Sequence, residues 1–153
     1  MAGETAQKPR NVLFACSLNA VRSPMAAAML RHLAGEDVGV ASAGVRAGLL
    51  DPMAVRVMSE IGIDVSQHQP CALRDLDEPD YDLVVSLSPE AHHQALELTR
   101  TMPADVEYWP TLDATVVLGH GDEEQVLASY RMVRDHLFRR IKQRFGFLGG
   151  PSV

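Results

Sequence analysis

The sequence predicts an α/β domain of three layers, with a four-stranded parallel sheet and helices on both faces. Three observations predict it. Short apolar runs alternate with amphipathic segments four times along the 153 residues, the order that builds a mostly parallel sheet. The runs are NVLFA (11–15), VGVAS (38–42), DLVVSLS (82–88) and DVEYW (105–109); they are nearly continuous, as strands covered on both faces are. Two of the helical segments open on a capping residue followed by proline, Ser23-Pro24 and Asp51-Pro52, and a third carries Pro89 at its start. Proline in a first helical turn gives up an N–H that has no partner there in any case.

The elements follow in order. Residues 1–10 are polar and read as a flexible N-terminal tail, residues 11–146 as the domain and residues 147–153 as a C-terminal tail. After the first strand, SPMAAAMLRHLAG starts with Ser23 as cap, places Met25, Met29, Leu30 and Leu33 at helical spacing, and can stop at Gly35. DPMAVRVMSEIG puts Ala54, Val57, Met58 and Ile61 on one face. PEAHHQALELTRTM (89–102) is the third helix, and PTLDATVVLGHG (110–121) a loop. Residues 122–145 form a long amphipathic helix with Val126, Tyr130, Val133, Leu137, Ile141 and Phe145 on its apolar face.

Composition removes several function classes. Charged residues make up 22% and the formal net charge is −6, so no nucleic-acid or acidic-membrane surface is expected, and any bound anion must be held by a local device. The basic edge of the last helix (Arg139, Arg140, Lys142, Arg144) reads as solvated charge. No apolar run approaches the ~20 residues that cross a bilayer, and MAGETAQKPR has no apolar core of a secretory signal. Two cysteines, Cys16 and Cys71, are too few for a disulfide scaffold. The expected setting is the cytoplasm, and the expected assembly a monomer or weak dimer.

The candidate site is Cys16-Ser17-Leu18-Asn19-Ala20-Val21-Arg22-Ser23, a C-x5-R-S pattern where a buried strand passes into a helix. Five intervening residues can curl so that backbone N–H groups face one tetrahedral anion, and the helix start adds its positive end. Arg22 can bind two of the anion's oxygens, a task for which a planar guanidinium is better suited than an ammonium. Cys16 at the base of that ring faces positive groups that favour thiolate over thiol. The Ser23 hydroxyl can donate to the sulfur. Asn19 tolerates the left-handed backbone that a tight ring demands.

On these residues the chain resembles the low-molecular-weight protein tyrosine phosphatase family, which shares its flavodoxin-like fold with thioredoxin-coupled arsenate reductases. The family pattern C-x-G-N-x-x-R-S-P-M-A stands here as Cys16-Ser17-Leu18-Asn19-Ala20-Val21-Arg22-Ser23-Pro24-Met25-Ala26. SAGVRAG (42–48), GIDVSQHQPCAL (62–73), YDLVVSLS (81–88) and the aspartate loop continue the resemblance in order. It implies a cysteine-dependent hydrolase of aryl phosphate or phosphotyrosine-type monoesters. Cys16 would form a phosphocysteine intermediate, and Arg22 and the amides of residues 17–23 would bind phosphate. Asp113 would serve as general acid, and Ser42 would support Asn19 and the ring. No metal or organic cofactor is implied. The partner would be a phosphorylated protein or small molecule, or an inorganic oxyanion.

Three departures from the family pattern stand out. Leu18 replaces a glycine, Ala114 replaces the proline after the acid, and Thr115 and Val116 replace the aromatic residues that would stack on phosphotyrosine. Two other functions therefore stay open: an arsenate reductase using Cys16 with an external thiol, and a catalytically weak oxyanion-binding module. The segment that carries resolving cysteines in the reductases holds Ser86 and Ser88 here. Cys71 is expected in the connection before the third strand, in a packing or surface role. His92 and His93 read as a solvated helix face and not a metal site, and Arg46 either meets the substrate or is solvated.

Overall fold

The computed structural model of the chain describes residues 9–76, 80–117 and 121–147; most of both expected tails lies outside them. Its elements, in chain order, are β1 (Asn11–Cys16), α1 (Arg22–Ala34), β2 (Gly39–Gly44), α2 (Pro52–Ser59), β3 (Leu83–Ser86), α3 (Pro89–Leu98), β4 (Asp105–Tyr108) and α4 (Glu123–Phe145). The four strands form one sheet in the order β2-β1-β3-β4, and every pairing is parallel. Parallel neighbours require crossovers, and α1, α2 and α3 lie in them.

Side-chain alternation along β1 divides the core. Val12, Phe14 and Cys16 face a large apolar cluster that includes Met25, Met29, Leu30, Val57, Met58 and Trp109, and the buried face of α4. Leu13 and Ala15 face a smaller cluster with Leu73, Val84, Ala91 and Ala95. The result is three layers, with α1, α2 and α4 on one side of the sheet and α3 on the other. All six apolar-face residues expected on α4 are buried. Its basic edge is only partly solvated: Arg144 Nε donates to Glu107 Oε2 at 2.8 Å, and the Arg140 guanidinium lies 5.0 Å from the Trp109 ring.

The bounds and caps of several elements differ from the sequence expectation, and α2 ends at Ser59, short of Ile61. The third helix stops at Leu98 rather than at residue 102, because Thr99 Oγ1 donates to the Ala95 carbonyl and a single 3₁₀ turn follows over Thr99–Thr101. The loop after β4 contains a 3₁₀ turn over Ala114–Val117. Ser23 is not the cap of α1. That helix begins two residues earlier, at Arg22, its N-cap is Val21, and no side chain caps it. The other helices do receive side-chain caps, from Asp51, Ser88 and Asp122.

Candidate active site

In an open parallel sheet the strand C-termini converge on one edge, and ligands bind beyond it. Cys16 ends β1 there, paired with Gly44 of β2, while Ala15 pairs with Ser86 of β3. From Cys16 the chain curls through residues 17–21 into α1. The loop after β2 runs alongside this curl and holds its carbonyls. The amides of Val45, Arg46, Gly48 and Asp51 donate to the carbonyls of Cys16, Ser17, Leu18 and Ala20 at 3.0, 2.9, 2.8 and 3.3 Å.

That pattern fixes the direction of the amides. Across a trans peptide the N–H points opposite to the C=O, so the amides of Ser17, Leu18, Asn19 and Val21 turn away from the flanking loop and into the ring. Among the described residues, nothing accepts a hydrogen bond from the amides of residues 17–21. Buried backbone donors are almost always satisfied. A ring of unspent N–H groups beside an uncapped helix start is suited to an anion.

Asn19 shapes the curl. It is fully buried and, among the described residues, is the one non-glycine with positive φ, at 56°. Its Oδ1 accepts the Cys71 amide at 2.9 Å, which orients the side-chain amide. Nδ2 then donates to Ser23 Oγ at 2.7 Å and Ser42 Oγ at 3.0 Å. His68 Nε2 lies 3.1 Å from both Asn19 O and Asn19 Oδ1; both are acceptors, so Nε2 carries the proton. Gly44 is required beside this curl, because a Cβ there would come within 2.7 Å of Asn19 N and 2.8 Å of Leu18 C.

Ser23 faces the sulfur. Its oxygen accepts from Asn19, so its own proton is free, and Cys16 Sγ at 2.9 Å is closer than the Ala43 carbonyl at 3.5 Å. This accounts for the missing cap: the Ser23 hydroxyl is turned inward. Asn19 and Ser23 are thus wholly buried behind the ring, while Cys16, Ser17, Leu18, Ala20, Val21 and Arg22 line a cleft of about 690 Å³.

The same cleft reaches Asp113. Arg22 Nη1 donates to the Thr111 carbonyl at 3.0 Å, and Nη2 lies 3.9 Å from Asp113 Oδ2. Asp113 Oδ1 accepts from the Thr115 amide at 3.0 Å and the Thr115 hydroxyl at 2.6 Å, capping the 3₁₀ turn. Ala114 is buried in the core. The loop therefore has an anchor where a proline is absent: one methyl inward and one threonine clasp outward. Leu18 adopts no left-handed φ, so the position does not require glycine, and its side chain, 45% exposed, joins Leu49 and Leu50 on the cleft wall.

Several neighbours were not foreseen in the sequence. His68 and the Thr111 carbonyl lie 49 and 89 residues from their partners Asn19 and Arg22, and no local pattern marks them. His92 departs from the expected solvated face. It is partly buried, with its ring stacked on Tyr108 at 4.6 Å and Nδ1 2.8 Å from Ser86 Oγ; His93 is exposed. No group of three or more His, Cys, Asp or Glu side chains among the described residues is arranged to hold a metal ion, and no helix among them is long and apolar enough to cross a membrane.

Comparison with known proteins agrees with this architecture. The family model for low molecular weight phosphotyrosine protein phosphatase matches residues 11–143. Among curated proteins, an arsenate reductase of Bacillus licheniformis is 34% identical over 139 residues, 88% of this chain and 94% of that protein. An arsenate reductase of Bacillus subtilis is 35% identical over 134 residues, 86% and 92% of the two chains. Among solved structures, a low molecular weight protein tyrosine phosphatase from T. tengcongensis superposes with TM-score 0.74 at 26% identity, covering 91% of this chain and 99% of that one. An arsenate reductase in its phosphate-binding state gives 0.67 at 26% identity, with 92% and 99% covered. With its parallel sheet, its strand-end cysteine and this match over most of its length, the chain belongs to the low molecular weight phosphotyrosine protein phosphatase family.

Proposed function

We propose that the protein hydrolyses phosphomonoesters through Cys16, with Arg22 and the amides of residues 17–21 binding the phosphoryl group and Asp113 as general acid. The observation that carries this reading is the shared cleft. Asp113 and Arg22 open into the same 690 Å³ space as Cys16, under an apolar wall of Leu18, Leu49 and Leu50. That volume suits an organic ligand and far exceeds a lone tetrahedral oxyanion.

Cys16 Sγ attacks phosphorus and the P–O ester bond breaks, leaving phosphocysteine and an alcohol. Asp113 supplies the proton to the departing oxygen. It then takes one from the water that attacks phosphorus and releases phosphate. With its side chain 42% exposed, Asp113 is open to the attacking water, whereas Arg22, 11% exposed, keeps a fixed place. Arg22 and the ring amides oppose the charge that builds on the equatorial oxygens. Hydrolysis of p-nitrophenyl phosphate by the wild type and its absence in Cys16→Ser is the test; turnover that survives in Cys16→Ser refutes the reading.

A second reading is arsenate reduction, supported by the names of the relatives from the two Bacillus species. An intramolecular thiol relay is not favoured, because Cys71 packs with the cluster on the opposite face of the sheet from Cys16. In this scheme two external thiols supply the two electrons. Cys16 Sγ first displaces water from arsenate to form a sulfur–arsenic bond. One external thiol then attacks Cys16 Sγ, and that bond breaks with its electron pair leaving on arsenite. The second thiol reduces the resulting mixed disulfide. Thiol-dependent arsenite formation that persists in Cys71→Ser supports it. Phosphate binding without Cys16-dependent turnover of either kind would leave an oxyanion-binding module.

A further inference from the structure

The cleft carries a second guanidinium that the chemistry above leaves unused. Arg46 follows β2, and its amide donates to the carbonyl of Ser17, the residue after Cys16, so its backbone is fixed to the ring. Its side chain lines the same cleft as Cys16 and Arg22. Glu90, in the first turn of α3, meets it from the other side of the sheet edge. Arg46 Nη1 donates to Glu90 Oε2 at 2.7 Å and Nη2 to Oε1 at 3.2 Å. This pair bridges the mouth between the β2 loop and α3. Ser17 and Ser88 join the two walls just beneath it, with their hydroxyl oxygens 3.1 Å apart.

The pair is poised to open. Arg46 and Glu90 are 55% and 46% exposed, and exposed ion pairs hold weakly because water competes for both partners. A planar guanidinium engaged bidentately by a carboxylate can exchange that partner for another carboxylate or a phosphate with the same geometry. Apart from Cys16 and Arg22 in the ring, the other residues lining this cleft are apolar, hydroxyl-bearing or acidic, with Leu18, Leu49 and Leu50 on one side and Glu90 on the other. Arg46 is thus the cation available to a substrate group that projects beyond the ring.

We propose that Arg46, held in reserve by Glu90, is a specificity-determining residue that selects phosphomonoesters bearing a second anionic group near the one that reacts. This deepens the hydrolase reading and rests on it. Before binding, Glu90 neutralises Arg46. On binding, the second anion of the ligand displaces the Glu90 carboxylate, which is left in solvent at the N-terminus of α3, where the helix dipole favours it.

The test uses benzylphosphonate ligands, which bind without turnover. Titration calorimetry compares a derivative carrying a ring carboxylate with its uncharged carboxamide, each measured on the wild type, Arg46→Gln and Glu90→Gln. The carboxylate should bind the wild type about fivefold to tenfold more tightly than the carboxamide, with the margin shrinking in high salt. Arg46→Gln should bring the ratio close to one, and Glu90→Gln should raise it. A wild-type ratio near one, a ratio unchanged in Arg46→Gln, or no binding of either ligand would overturn the proposal. Turnover of p-nitrophenyl phosphate, measured in parallel on the wild type and Cys16→Ser, reports on the hydrolase reading separately. Binding with the expected ratio but no turnover would retain Arg46 and discard hydrolysis.

Discussion

The two thiols of this chain show how surroundings divide one residue type into two kinds. Cys16 is encircled by donors. The Ser23 hydroxyl points at its sulfur, the amides of the following turn curl over it, and Arg22 shares its cleft. Cys71 lies beside one acceptor and one acid. Its sulfur lies 3.5 Å from the Ser42 carbonyl, and burial, followed by the charge of Asp75, pushes its thiol upward from the ordinary range. The sheet separates the two, because Cys16 packs on the face of α1 and α4 and Cys71 with the cluster on the face of α3. Burial and the nearby carboxylate favour the neutral thiol at Cys71.

The strongest way to break this contrast is to exchange the oxygen analogue at each position. Cys16→Ser is expected to lower p-nitrophenyl phosphate turnover by more than about 10³-fold, whereas Cys71→Ser should stay within about twofold; steady-state rates decide. Asn19→Ala removes a side chain that touches both neighbourhoods, taking the Cys71 amide on one side and holding Ser23 on the other. Leaving buried donors and acceptors unpaired costs roughly 1–3 kcal/mol each, so urea unfolding should report a loss of about 3 kcal/mol together with weakened phosphate binding.

Asp113→Asn sharpens the Cys16 side. Aryl phosphates with poor leaving groups should slow by about 10²-fold, and p-nitrophenyl phosphate by much less; an equal effect across a leaving-group series would remove the acid role. Acidification probes the shared floor. Burial, the largest cause, lowers the pKa of His68 from its ordinary 6.5, so the folded protein binds fewer protons there than the unfolded chain. His68 thus contributes stability above pH 6.5 that is lost as pH falls toward its lowered value. Urea midpoints at pH 7 and pH 5 should differ less in His68→Gln than in the wild type. The smallest effect concerns reagent access: iodoacetamide at pH 8 should label Cys71 more slowly in the folded protein than in urea, as its raised thiol range requires.

Much of this contrast was legible beforehand on one side only. Apolar runs marked the strands, a cap and proline marked α2, and the spacing of Cys16, Arg22 and Ser23 placed a ring at the end of β1. Ser23 was misassigned because a serine before a proline carries the local signature of a helix cap, and nothing local reveals that Asn19 and Cys16 claim its hydroxyl instead. Cys71 could be put in the right connection but not on a face of the sheet. That depends on the bridge between Gly44 and Ala72, a contact across 28 residues. In the sequence, Ala114 is simply a missing proline beside Asp113. Only the fold brings that methyl into the core and Thr115 onto Asp113.

The bare start of α1 has a thermodynamic consequence. The other three helices carry their own caps, whereas α1 leaves its opening turn to whatever enters the ring. An anion bound there completes the helix as well as the site, so occupancy and folding draw on one free energy. Ligand concentration is then a control on the melting temperature of the whole domain.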